Sequence, residues 1–170
     1  MSVLLTTKTI VKKWTDYNNH MNLSYYILVF DMGAEKILSK FQMGEYSAKT
    51  SKRSTMVVET STTYQKEVKE GDEVDVYLVH LDHDNKRLHY KLEMFDKANN
   101  ILSATTEVLA LYMDLNKRKV SEFENEKIII IDDYIEKNKN SFKNENLKLS
   151  SKLKKWKLNL NYLEQVETLA

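Results

Sequence analysis

Hydrophobic residues along the chain keep two different periods, and the change of period marks the elements. Val3 to Lys13 mixes β-branched residues with Thr and Lys, the composition of a strand, and a loop from Trp14 to Asn22 follows. From Leu23 to Met43 the period becomes helical, with Tyr26, Phe30, Gly33 or Ala34, Ile37 and Phe41 on one stripe. The run YYILVF makes the first turns apolar almost all round, so this helix is expected to be largely enclosed by the domain, with Asn22 as its N-cap. A polar stretch, Gly44 to Ser54, separates it from four segments of strand character: Thr55 to Lys66, Asp72 to Leu81, Arg87 to Phe95 and Ile101 to Met113.

The strands are joined by the short polar links KEGD, DHDNK and DKANN, too short for parallel crossovers, so sequential strands are expected to be antiparallel neighbours. The order is β-α-β-β-β-β, an α+β domain in which a curled antiparallel sheet wraps one long buried helix. Beyond Asp114 the composition shifts to Lys, Asn and Ser. We therefore divide the chain into a domain at 1–120 and a Lys/Asn-rich C-terminal extension at 121–170 that is partly helical. Within the extension IIIIDDYIEK reads as a short strand or a helix start, and LKKWKLNLNYLEQV as a weakly amphipathic helix.

Charge and composition narrow the function. With 26 Lys+Arg against 25 Asp+Glu, no field over the whole molecule favours nucleic acid or an anionic membrane. The absence of Cys excludes disulfides, zinc-thiolate sites and thiol catalysis. No stretch approaches the ~20 apolar residues of a membrane span, and the N-terminal segment breaks its apolar residues with Thr and Lys, which makes a cytoplasmic location the expectation.

The most informative stretch is WTDYNNHMNLSYY, where Asp16, Asn18, His20 and Asn22 crowd together immediately before the apolar helix. Acyl transfer from a thioester needs an activated water or a carboxylate nucleophile, and donors aimed at the developing oxyanion. Asp16 can be the base or nucleophile, and the free N–H groups of the first helical turn, Leu23, Ser24 and Tyr25, can polarise the carbonyl. His20 can reach the leaving thiolate or hold the loop, and Asn18 and Asn22 can orient water and Asp16. The alternative is that Asp16, Asn18 and Asn22 only turn the chain and cap the helix.

DYNNHMNLSYY resembles the D-x-N-G-H-x-N signature of hotdog-fold acyl-CoA and acyl-carrier thioesterases, within the 4-hydroxybenzoyl-CoA thioesterase-like superfamily. VVETSTTYQKEVKEGD and LDHDNKRLHYKLEMFD further resemble the betainyl-CoA thioesterases, and the similarity runs from Val11 to Lys119. The resemblance implies a hotdog fold, hydrolysis of an acyl-CoA without metal or other cofactor, Asp16 as the catalytic carboxylate, His20 and Asn18 as polar partners, and Glu67 as a second acid. Asn19 stands where the signature has Gly; in a left-handed turn Asn is the next most tolerant residue.

Other residues have candidate roles. Glu59, a carboxylate in an apolar strand, either lines the cleft or faces solvent at a sheet edge. Lys52, Arg53 and Lys66 are candidates for the CoA phosphates. Trp14, Tyr17, Tyr25 and Tyr26 offer faces to a quaternary ammonium such as betaine's, against the alternative that they pack helix on sheet. A two-residue loop at Asp84-Asn85 would place His80 opposite His89 and Asp82 opposite Arg87, a pair of imidazoles for a metal or an ordinary hairpin surface. An edge strand that needs covering points to a homodimer, or a tetramer built from it. The competing functions are a hotdog protein that binds acyl-CoA without turnover and a dehydratase.

Overall fold

The computed structural model describes residues 2–154. β1 (Val3–Thr9) is shorter than its composition suggests, because Ile10 turns into the core and the chain then makes a 3-10 turn, Lys12–Trp14. α1 (Leu23–Lys40) buries Tyr26, Val29, Phe30, Gly33, Ala34 and Ile37, a spacing of three and four residues that keeps one face on the sheet. Asn22 caps it, its Oδ1 accepting the Ser24 N–H at 3.0 Å. A Cβ on Gly33 would lie 3.1 Å from Val76 Cγ1, so the bare glycine lets the helix approach the sheet closely here. The sheet wraps one face of α1 but does not enclose its apolar first turns all round: Leu23, Ile27 and Leu28 stay exposed.

The polar stretch after α1 holds an unexpected element, α2 (Glu45–Thr50), and β2 (Arg53–Tyr64) begins earlier than Thr55. A six-residue helix is too short to show a hydrophobic period, and its one buried residue, Ser47, is polar. β3 (Glu73–His83), β4 (Arg87–Asp96) and β5 (Ile101–Asp114) form consecutive antiparallel hairpins. β6 (Lys119–Val120) adds a short antiparallel pairing to β5. Together the strands curl round α1 in the order β1-β3-β4-β5-β2, the hotdog arrangement.

That order corrects the reading of KEGD as a hairpin link. β2 pairs with β5, not with β3, so the chain must cross three inter-strand spacings, about 14 Å, between them. Residues 65–72 make the crossing past the N-terminal end of α1, with Val68 fully buried under it. The β3–β4 register is corrected too. Asp82 pairs with His89 and His83 with Leu88, an offset of two residues from the expected pairing, with an irregularity between Leu78 and His80. The carboxylate of Asp84 causes the offset: it accepts the Lys86 and Arg87 N–H groups at 2.8 Å each and the Arg87 guanidinium at 2.7 Å, closing the turn one residue further along.

The segment IIIIDDYIEK is helical, within α3 (Asn125–Asn138), and its Ile131 is fully buried in the core. The reading of LKKWKLNLNYLEQV as a helix falls almost wholly outside the described residues. Between them the chain straps the sheet face that points away from α1. Lys143 N–H donates to the Val79 carbonyl at 2.6 Å, and the Glu107 carboxylate accepts the N–H groups of Lys148 and Leu149 at 2.8 and 2.7 Å. The two imidazoles expected on the hairpin surface are buried under this strap. His89 Nε2 lies 2.7 Å from Glu107, His89 Nδ1 lies 3.2 Å from His80 Nε2, and His80 Nδ1 meets the Asn144 side-chain amide at 3.0 Å. Among the described residues no group of three or more His, Cys, Asp and Glu side chains is arranged to hold a metal ion.

Burial and the neighbouring His89 hold the His80 pKa below its ordinary value. Burial pushes Glu107 up, but the two strap N–H groups and His89 outweigh it and hold the carboxyl below its ordinary value.

Two measurements check this account. Ile131→Ala should cost about 2–5 kcal/mol in urea unfolding, and Ile129→Ala, at an exposed site on the same helix, under about 0.5 kcal/mol. Stability should fall as pH drops below 6.5, because the unfolded chain takes a proton that His80 refuses when folded, and fall again below 4.5 as Glu107 protonates. A thermal melt followed from pH 7.5 to 5 should show the first decline, and His80→Gln should flatten it.

Candidate active site

The loop before α1 is held by backbone pairing on both sides. Thr15 bridges to Met21 and His20 to Lys69 of the crossing segment, and Met21 N–H donates to the Val68 carbonyl at 2.7 Å. At its tip Asp16 N–H donates to the His20 carbonyl at 2.9 Å, and Asn19 adopts φ +62°, the left-handed turn that its substitution for Gly allows. Asp16 is half-buried; its Oδ1 accepts the Asn18 N–H at 2.8 Å, and no partner takes Oδ2 among the described residues.

The same crossing brings Glu67 to the loop. His20 Nε2 lies 2.9 Å from Glu67 Oε2, and Lys69 Nζ lies 3.3 Å from the other carboxylate oxygen. In the first turn of α1 the three candidate donors differ. Ser24 N–H is taken by the Asn22 side chain and Tyr25 N–H by the Asn22 carbonyl at 2.9 Å, whereas Leu23 N–H has no acceptor among the described residues. Asp16, Asn18, His20, Asn22, Glu67 and the helix start are therefore one locality.

Other candidates lie elsewhere. Glu59 pairs with Lys152 at 3.0 Å, on the strap side of the sheet and away from the loop. Arg53 is taken by Asp114 at 3.3 Å and by Ser121, and Lys52 is its neighbour; both sit at the far end of β2, about 36 Å along the strand from the crossing. Lys66 is at the crossing, 3.5 Å from Asp96. The aromatic candidates do not share one cavity. Trp14 stacks on Tyr25 with centroids 5.9 Å apart, and Tyr17 is 94% exposed. The Tyr26 hydroxyl accepts the Val68 N–H at 3.1 Å, so this ring packs the helix against the crossing.

Between α1 and the concave face of the sheet, beginning at Ser24, lies a cleft of about 400 Å³ that none of the loop residues Asp16 to Asn22 lines. Ile27, Leu28, Phe30 and Val108 contribute hydrocarbon walls, and Ser24, from the first turn of α1, also lines it. Two lining residues were not legible as site residues: Asp31, on α1, and Tyr90, on β4. The one signal available was the interruption of an apolar helical run by Asp31; Tyr90 looks like any inward residue of an alternating strand.

Comparisons with known proteins agree with this geometry. A model described as the thioesterase-like superfamily matches residues 10–132. A betainyl-CoA thioesterase of Pseudomonas aeruginosa is 30% identical over 128 residues, covering 74% of this chain and 80% of that protein. An L-carnitine dehydrogenase/betainyl-CoA thioesterase of Rhizobium meliloti is 28% identical over 106 residues, 62% of this chain but 21% of the longer relative. A Staphylococcus aureus protein solved in complex with CoA shares the fold, with a TM-score of 0.75 over 87% of this chain and 91% of its own, at 23% identity. A carboxylate loop at the start of a sheet-wrapped helix, and a family match over most of that unit, together establish that the chain belongs to the thioesterase-like superfamily.

Proposed function

We propose that the protein hydrolyses a short acyl-CoA, with betainyl-CoA as the leading substrate, releasing the carboxylic acid and free CoA. The observation that carries this reading is the position of Asp16. Its Oδ1 is fixed by Asn18, its Oδ2 is open, and it stands on a loop that runs straight into the N-terminus of an 18-residue helix beside an apolar cleft. The family match and the two betainyl-CoA thioesterase relatives support the same chemistry.

Asp16 Oδ2 takes a proton from water as the water oxygen bonds to the thioester carbon. The carbonyl oxygen becomes an oxyanion at the positive end of α1, where Leu23 N–H is the donor without a protein acceptor. The C–S bond then breaks, and the proton held by Asp16 passes to the CoA sulfur. His20, anchored to Glu67 through Nε2, has Nδ1 left for that sulfur and donates from it in the doubly protonated form. Asn22 caps the helix and so sets the direction of the oxyanion donor. Lys66, at the crossing and 3.5 Å from Asp96, is the residue we assign to a CoA phosphate. Asp16 acting instead as nucleophile would put ¹⁸O from labelled water into its own carboxylate during a single turnover, which separates the two routes.

The functional unit is proposed to be a homodimer. β2 is an outermost strand with Val57 and Val58 about half exposed (53% and 50%), an open edge that pairing with a second copy would cover. Light scattering at micromolar concentration should give twice the chain mass; a monomer would remove the edge-pairing proposal.

Asp16→Asn tests the chemistry. Asn keeps the bond to Asn18 N–H but has no basicity, so kcat for thiol release should fall by about 10² to 10⁴. The thermal melt should barely move, because shape and turn geometry are retained. A well-folded Asp16→Asn protein with parental turnover would refute the mechanism, and a lowered melting temperature with unchanged kcat per folded molecule would make Asp16 a structural residue.

A further inference from the structure

This inference rests on the thioesterase reading and asks which acyl group the cleft accepts. Among the described residues lining the cleft, Asp31 alone carries a charge, and no hydrogen bond or ion pair engages its carboxylate. Asp31 is exposed to solvent on α1, yet partial desolvation beside the cleft walls, together with the Glu35 carboxylate one turn on, raises its pKa. The cleft therefore presents one negative charge at the edge of hydrocarbon walls. Tyr90, only 5% exposed, lines the same cleft, and its phenol is pushed far up by burial and by the charge of Asp31.

We propose that Asp31 and Tyr90 recognise a quaternary ammonium group on the acyl chain. The carboxylate supplies the counter-charge and the aromatic ring a face for the methyl groups, which together suit a cation that has no N–H to donate. A primary ammonium fits less well. It carries three donors whose hydration is costly to strip beside Ile27, Leu28 and Val108, whereas methyl groups match those walls. A long uncharged acyl chain would fill the walls but gain nothing from the charge of Asp31. Length selects as well. Asp31 lies seven residues beyond Ser24 on α1, about 10 Å along the axis. A thioester carbonyl at the first turn, a short acyl linker and a trimethylammonium head in contact with Asp31 span that interval.

The test compares betainyl-CoA with 3,3-dimethylbutyryl-CoA, in which carbon replaces the quaternary nitrogen at nearly constant shape. The parental enzyme should favour the cationic thioester by about tenfold or more in kcat/KM, and Asp31→Asn should lower that ratio by about tenfold. Tyr90→Phe keeps the ring face and should keep the ratio, whereas Tyr90→Leu should lower it. A parental ratio near one, or a ratio unmoved by Asp31→Asn, overturns the proposal while thiol release from both substrates leaves the thioesterase reading intact. Should neither thioester be hydrolysed, the thioesterase reading fails and calorimetry still decides the subsite. Glycine betaine should then bind more tightly than 3,3-dimethylbutyrate to the parental protein and lose that advantage in Asp31→Asn. Equal binding of the two acids overturns the subsite.

Discussion

The bond from Met21 N–H to the Val68 carbonyl, 2.7 Å long, joins two stretches of irregular chain that neither helix nor sheet would fix alone. It exists because β2 and β3 are not neighbours. The chain must travel across the open end of the sheet, and its route passes the start of α1. Backbone groups on such a route need partners, and the loop before α1 supplies them. In return the loop is braced by a fully buried Val68 and by the Tyr26 hydroxyl. The acid of the site, the free helix N–H and the His20–Glu67 pair are thus held by the connection between two strands.

Much of this was legible in the chain and some was not, for physical reasons. The stripe from Tyr26 to Ile37 and the four long strands follow from side-chain period alone, which reports the faces an element buries. Strand order does not follow from period. A link of a few polar residues reads as a hairpin, and the burial of Val68 just before it, which marks the crossing, is not encoded in any period. The β3–β4 register escaped because one carboxylate, Asp84, governs the turn through bonds to backbone N–H groups that no spacing rule encodes. In the site, the loop residues from Asp16 to Asn22 were visible because polar side chains ahead of an apolar helix are conspicuous. Asp31 and Tyr90 were not, since each lies within a regular element and gains its character from what stands across the cleft.

The two faces of the sheet carry different kinds of order. Toward α1 the packing is hydrocarbon on hydrocarbon, interrupted where the cleft opens. Away from α1 a polar file runs from Asn144 through His80 and His89 to Glu107, buried and completed by the strap. His80 Nδ1–H donates to the Asn144 Oδ1, Glu107 accepts from His89 Nε2–H, and one proton is shared between His80 Nε2 and His89 Nδ1.

The strap is gripped by its main chain at Lys148 and Leu149, whose N–H groups both reach one carboxylate. Any residue except proline offers that same N–H. The tolerance for change at this contact is therefore lopsided: positions 148 and 149 are free to drift among side chains so far as the grip is concerned, while position 107 is confined to a carboxylate of one length. Replacing Glu107 by Asp would keep the charge and lose the reach, whereas Lys148 could become nearly anything without releasing the strap.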